Sequence, residues 1–204
     1  MGKKYKYLKK VKAFENFDLT DKTVTILGLE GAGSVISEIL ARAGVNLRLI
    51  DKGRVYEEDI QSQALFQEDD ITRFKAKQAK KKLEEINKDV KVKAFHEELK
   101  EETIYLLDSD LIIDCSNSIE TSNLISKYAL AQEIPCLFVN VTGTKVIIIP
   151  QFDKAAISKV KSVDLNKSGV LGASVFFAGS KTALEALKIL QGEKSLKVVE
   201  IETF

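Results

Sequence analysis

Gly28, Gly31, Gly33 and Asp51 have the types and spacing that hold a nucleotide. Glycines let a chain turn sharply and bring its backbone against a phosphate. A helix starting behind them adds unpaired N–H groups and a partial positive charge. An aspartate about twenty residues further on accepts hydrogen bonds from ribose hydroxyls. The usual second glycine of G-x-G-x-x-G is Glu30 here, with Gly31 directly after it. Other chemistries are poorly supplied. His96 is the only histidine, which argues against a Ser-His or Cys-His triad and a multi-histidine metal centre. Cys115 and Cys136 form no C-x-x-C pair, so each is expected to be a buried small hydrophobe.

The elements around these residues separate a nucleotide site from a glycine turn that binds nothing. Thr23 to Leu27 is β-branched and apolar, as in a strand buried on both faces. Val35, Ile36, Ile39, Leu40 and Ala43 then share one helical face. Leu47 to Ile50 is a second strand that ends on Asp51. Residues 52–70 are a polar stretch of no clear period, leaving the strand end where α/β sheets bind ligands. A Lys-rich helix follows over 71–88, with most of its lysines read as solvated surface. Val90–Phe95 alternates like a sheet-edge strand. A short helix near Glu101–Leu107 precedes the strand Leu111–Asp114, and Leu124, Ile125, Tyr128 and Ala129 mark another helix. Strands are expected at Cys136–Val141 and Lys145–Ile149, the latter closed by Pro150. Residues 151–168 read as a connection or flap. The helix over 170–190 is apolar on more than one face, and a last strand is expected near Val198–Ile201. Alternating strands and helices predict an α/β, Rossmann-like, mostly parallel sheet with helices on both faces. With no composition break or repeat, residues 1–204 are expected to form one nucleotide-binding domain with an N-terminal arm over 1–20.

Lys+Arg numbers 31 against 30 Asp+Glu, so charge gives no reason to propose nucleic acid as a partner. No apolar run approaches the length of a membrane span. The first residues carry neither a signal core nor a myristoylation pattern, and the expectation is a cytoplasmic protein.

Five segments in order resemble the ThiF/MoeB/E1-like family of adenylating enzymes. They are Gly28-x-Glu30-Gly31-x-Gly33 with Asp51; Asp59-Ile60-Gln61-Ser62-Gln63-Ala64-Leu65-Phe66, similar to N-L-x-R-Q-x-L-F; and Thr72-Arg73-Phe74-Lys75-Ala76. Asp114-Cys115-Ser116-Asn117-Ser118, similar to D-x-T-D-N, and Gly169-Val170-Leu171-Gly172 with Ala183–Lys188 complete the set. The resemblance implies activation of a carboxylate by ATP and Mg²⁺, giving an acyl-adenylate and pyrophosphate. It implies that the glycine turn holds phosphates, Asp51 the ribose, and that Gln63 lines the site. Lys75 is then a catalytic contact to the phosphates and Asp114 a catalytic, metal-holding carboxylate, with Asn117 beside the nucleotide. It further implies a homodimer, a carboxylate substrate and an acyl-acceptor protein.

The departures matter as much. Ser62 stands where the family has an arginine toward the terminal phosphates, and Asn117 where it has a magnesium-site aspartate. Arg54 or Arg73 is a candidate for the missing cation, and Asp114 or Asp59 for the missing carboxylate. No cysteine in 151–170 is present to accept an acyl group, and the paired cysteines of zinc-bearing members are absent. Small members of this kind include the one that handles a pyridinol carboxylate in iron–guanylylpyridinol cofactor assembly. Three functions compete: a carboxylate-adenylating enzyme, a degenerate nucleotide- or partner-binding module, and an NAD-dependent oxidoreductase. The third gives no reason for Gln63-Ala64-Leu65-Phe66 or Lys75.

Overall fold

The computed structural model describes residues 21–151, 169–193 and 197–204, together with Val11 and Leu19. The expected arm over 1–20 and flap over 151–168 lie outside the described residues, apart from Val11, Leu19 and Gln151.

One seven-stranded sheet carries the described strands β1 (Thr23–Leu27), β2 (Asn46–Ile50), β3 (Val92–Phe95), β4 (Leu111–Asp114), β5 (Cys136–Thr142), β6 (Lys145–Gln151) and β7 (Val199–Glu202). Their spatial order is β3-β2-β1-β4-β5-β6-β7. The first five are parallel, β6 is antiparallel to β5, and β7 is antiparallel to β6. The helices are α1 (Ala32–Ala43), α2 (Lys75–Ile86), α3 (Ile119–Ala131) and α4 (Gly172–Leu190).

Alternation along the strands sorts the apolar side chains into two layers. Val24, Ile26, Leu47, Leu49, Leu111 and Ile113 pack with α1, α2 and α4. Leu27, Ile50, Ile112, Cys136 and Phe138 pack with Ile125 and Ala129 of α3 and with Leu106 and Leu107 of a 3₁₀ turn, Glu101–Leu107. Helices therefore cover both faces, as a parallel sheet requires. Burial pushes the thiols of Cys115 and Cys136 up, and both are free. Among the described residues no helix is long and apolar enough to cross a membrane.

The strand expected from Val90 starts at Val92 and the helix expected from 170 at Gly172, and two further boundaries differ for reasons visible in the packing. The helix expected from 71 begins at Lys75, because Phe74 is extended and bridges to Arg54, and Thr72 has φ 73°. The strand expected to stop before Pro150 continues through it to Gln151. Proline is tolerated there because β7 pairs with Lys145–Ile148 only, so Pro150 needs no N–H on that side.

Helix α4 is apolar on two faces, and only one is covered by the described chain. Val175, Ala178, Ala183 and Ala186 are buried, whereas Phe176, Phe177 and Leu184 are exposed.

Candidate active site

The chain reverses its winding direction between β1 and β4. From β1 it runs outward through β2 to β3, and then returns to β4 on β1's other side. That switch opens a crevice at the carboxyl ends of the strands, the place where open α/β sheets bind ligands. Leu27, Gly28, Ile50, Asp51 and Cys115 line one cavity there. An adjoining cavity of about 270 Å³ is lined by Glu30, Gly31, Ser62, Gln63, Asn117 and neighbouring residues.

The three glycines have different jobs. Gly28 has φ 82°, and a Cβ on it would meet the Cys115 carbonyl oxygen at 2.7 Å. A Cβ on Gly33 would lie 1.9 Å from the Gly28 oxygen. Gly33 thus allows α1 to seat on the turn, a packing role beside the phosphate role expected of it. Gly31, with φ 44°, precedes α1 and faces the second cavity.

Asp51 braces the crevice as well as facing it. Its Oδ2 accepts from Leu29 N at 2.7 Å and its Oδ1 from Gly53 N at 2.6 Å. Each oxygen keeps a lone pair, so the carboxylate remains able to accept ribose hydroxyls. Asp51→Ala is therefore expected to act twice. Nucleotide affinity should fall at least about tenfold, and stability by about 1.5–3 kcal/mol, the worth of hydrogen bonds to a charged group. Calorimetric titration and thermal unfolding of one variant measure both. A variant of native stability would show that the two backbone donors contribute little.

Lys75 is brought to the crevice by a backbone clasp. Thr72 N donates to Val55 O, Val55 N to Arg73 O and Lys75 N to Gly53 O, at 2.8, 2.9 and 3.1 Å. The first residue of α2 is thereby held beside the end of β2. Its side chain is only 1% exposed, with Nζ 3.0 Å from Asp59 Oδ2 and 3.3 Å from Glu30 Oε1. Asp59 is itself fixed, accepting from Tyr56 N at 2.8 Å and from Gln63 Nε2. Gln63 Oε1 is buried and has no hydrogen-bond partner among the described residues, an acceptor that a bound donor would satisfy.

Asp114, expected to be catalytic and to hold a metal, is bonded within its own turn. Its Oδ1 accepts from Ser116 N at 2.9 Å and its Oδ2 from Ser122 Oγ at 2.5 Å, and burial raises its pKa. Raising the pKa disfavours the ionised form that a cation wants. Asn117, in the left-handed region at φ 52°, accepts on Oδ1 from Asn140 Nδ2 at 2.9 Å. Among the described residues no three His, Cys, Asp or Glu side chains gather in a group that could hold a metal. Each Asp114 oxygen keeps a lone pair that a cation on a bound triphosphate could use, whereas Asn117 offers only a neutral oxygen already engaged with Asn140. Asp114 also shapes the turn from β4 into α3.

The ThiF family model matches residues 8–202. The chain belongs to the ThiF family. Among its relatives, the sulfur carrier protein ThiS adenylyltransferase of Escherichia coli is 28% identical over 186 residues, 85% of this chain and 74% of that protein. The Escherichia coli molybdopterin-synthase adenylyltransferase is 26% identical over 186 residues, 85% of this chain and 75% of that one. Among solved structures, PaaA superposes with a TM-score of 0.74 at 20% identity, over 91% of this chain and 65% of that one. MccB of Escherichia coli, crystallised with ATP, gives 0.76 at 18% identity, over 91% and 64%. These structural likenesses carry the fold.

Within the ThiF frame, neither arginine offered as a replacement for the Ser62 position reaches the second cavity. Arg54 lies 4.0 Å over the Phe74 ring and donates to Thr72 O at 2.6 Å, and Arg73 is exposed. Sequence reasoning missed that Glu30 and Asp59 meet on Lys75. The signal was present: both are carboxylates where the family pattern has a glycine and an asparagine.

Proposed function

We propose that this ThiF-family protein binds ATP across the two adjoining cavities and adenylates a carboxylate, releasing pyrophosphate. The observation that carries the reading is Lys75, a buried lysine placed by the clasp between the glycine turn and the Gln63 loop. Asp51 would receive the ribose, and Gly31 with the N-terminus of α1 would face the phosphates. Lys75 would move onto the α- and β-phosphate oxygens as charge shifts toward the leaving pyrophosphate. Such catalysis is chiefly positioning and charge neutralisation. Mg²⁺ would arrive on the triphosphate's own oxygens, with Asp114 the carboxylate that would hold it from the protein side. The named relatives are adenylyltransferases, one for the sulfur carrier ThiS and one for molybdopterin synthase. A carrier-protein C-terminus and a small carboxylate such as a pyridinol acid are the substrate classes to compare, with an acyl-acceptor protein downstream.

ATP–pyrophosphate exchange with a panel of carboxylates tests this directly. Exchange dependent on one carboxylate is the expected result, together with tighter calorimetric binding of ATP than of NAD. Tight ATP binding with no exchange for any carboxylate would favour the second reading, a binding module. A specific feature supports that alternative: Lys75 is already neutralised by two carboxylates, and Ser62 offers no cation.

The protein is also proposed to be a homodimer. Phe176, Phe177 and Leu184 leave an apolar face of α4 uncovered by the described chain, and a second copy would cover it. Light scattering at tens of micromolar (about 50 µM suffices for a stable interface) should give twice the chain mass. Phe176→Asp with Phe177→Asp should return the monomer; a wild-type monomer at that concentration would refute the pairing.

A further inference from the structure

We propose that Glu30 is a resident counter-ion that competes with polyphosphate for Lys75, so that nucleotide enters the site by anion exchange. The inference rests on the reading of Lys75 as the phosphate lysine. By the same exchange, the returning Glu30 carboxylate helps displace pyrophosphate.

The two carboxylates on Lys75 are not equivalent. Asp59 is the permanent partner. Its side chain is 11% exposed, and it is fixed by Tyr56 N and Gln63 Nε2 as well as by Lys75 at 3.0 Å. A buried ammonium needs one such fixed counter-charge, because an unpaired charge there is costly. Glu30 is the exchangeable partner. Its side chain is 64% exposed, it reaches Lys75 at 3.3 Å, and its carboxylate meets no other partner among the described residues. Swinging it into water returns an already half-solvated carboxylate to solvent, while Asp59 keeps the buried ammonium paired. The ammonium has three donors, so a phosphate oxygen can take Glu30's place while Asp59 stays bound.

Position makes Glu30 an imitation of the phosphate. It stands immediately before Gly31, the residue that precedes α1, where the helix N-terminus attracts an anion. The family pattern has a glycine at this point, and this chain puts a carboxylate there. The surroundings sharpen the competition. Glu30, Glu58 and Asp59 line the second cavity, and neither lysine nor arginine is among its described lining residues. Lys75 lies behind Glu30 and Asp59, outside that lining, so a polyphosphate reaches its ammonium only by taking the place of Glu30.

The experiment titrates wild type, Glu30→Gly and Glu30→Gln with pyrophosphate, ATP and adenosine, each with Mg²⁺ and again with a chelator. Both variants should bind pyrophosphate and ATP about tenfold more tightly, the scale of losing one nearby like charge. Adenosine affinity should not move. Glu30→Gln keeps the side-chain length, so agreement between the two variants separates charge from any loosening of the turn. Unchanged pyrophosphate and ATP affinities would overturn the proposal. So would adenosine shifting in parallel, or pyrophosphate binding in none of the proteins. Variants weakened only in the presence of Mg²⁺ would also overturn it, by making Glu30 a cation ligand. Wild type that binds neither ATP nor adenosine would sink the adenylation reading itself, whereas ATP binding with unshifted variants sinks only the role of Glu30.

Discussion

Lys75→Ala is expected to lower carboxylate-dependent ATP–pyrophosphate exchange by about 10²–10³-fold, the cost of removing one preorganised charge-stabilising donor. Ground-state ATP affinity should fall much less. In the resting site Nζ is occupied by Asp59 and Glu30, so part of what ATP gains from Lys75 is offset by the Glu30 pair it displaces. Charge building on the leaving pyrophosphate has no such offset, and the loss should appear in turnover more than in binding. The same substitution strands Asp59, which is 11% exposed, without its buried cation. Breaking one side of a buried pair costs about 3–5 kcal/mol in the unrelieved case. Here Tyr56 N and Gln63 Nε2 still support the carboxylate, so a smaller loss of about 1–3 kcal/mol is expected. Lys75→Met with Asp59→Asn separates the two effects: the neutral pair should recover most of the stability and none of the exchange. Recovery of exchange in that double variant would remove Lys75 from the chemistry.

Much of the fold was legible because its signals are local. The apolar run Thr23–Leu27, the turn of period at Val35 and the alternation in Val90–Phe95 each depend on a few neighbouring residues. Two of the misplaced boundaries depended on distant ones. Phe74 looks like helix until Arg54, twenty positions earlier in the sequence, pairs with its backbone and holds it extended. Pro150 looks like a strand end until β7 is known to stop one step short of needing its N–H. The candidate site shows the same division. Lys75 and Asp51 could be picked out by motif and spacing, but Lys75 resembled one more lysine of a solvated helix. Its burial comes from the clasp to Gly53, which no periodicity encodes. The bonds of Asp114 were hidden for a related reason. A carboxylate at a strand end reads as unbonded until its oxygens are found on Ser116 and Ser122.

Gly33→Ala should produce the largest loss of stability among single-methyl additions at the described glycines that have a helical or extended backbone. The added carbon would lie 1.9 Å from Gly28 O and 3.0 Å from Gly28 C, with Cys115 Cβ at 3.5 Å. The first two are backbone atoms, so no side-chain rotation relieves the clash. Gly28 has little room to retreat, because the space where its Cβ would stand is filled by the Cys115 carbonyl, and its N–H is bonded to Ile50 O at 2.9 Å. Relief requires α1 to lift away from β1 and β4. That would loosen its packing on α4, where Gly179 lies against Val35 with no space for a methyl group. Overpacking in a close-packed interior typically costs about 1–3 kcal/mol, and more when backbone must move. A cost of at least about 3 kcal/mol is expected, which for a chain of this size lowers the melting temperature by about 6–12 °C. Gly169→Ala is the matched control, since nothing lies within 4 Å of its added carbon and its φ is not in the left-handed region. It should change stability by less than about 0.5 kcal/mol. Equal melting temperatures for the two variants would show that the helix seats on the turn more loosely than the 1.9 Å contact requires. A destabilised Gly33→Ala that still binds ATP once folded would place this glycine in packing alone, leaving Gly31 as the glycine that faces the phosphates.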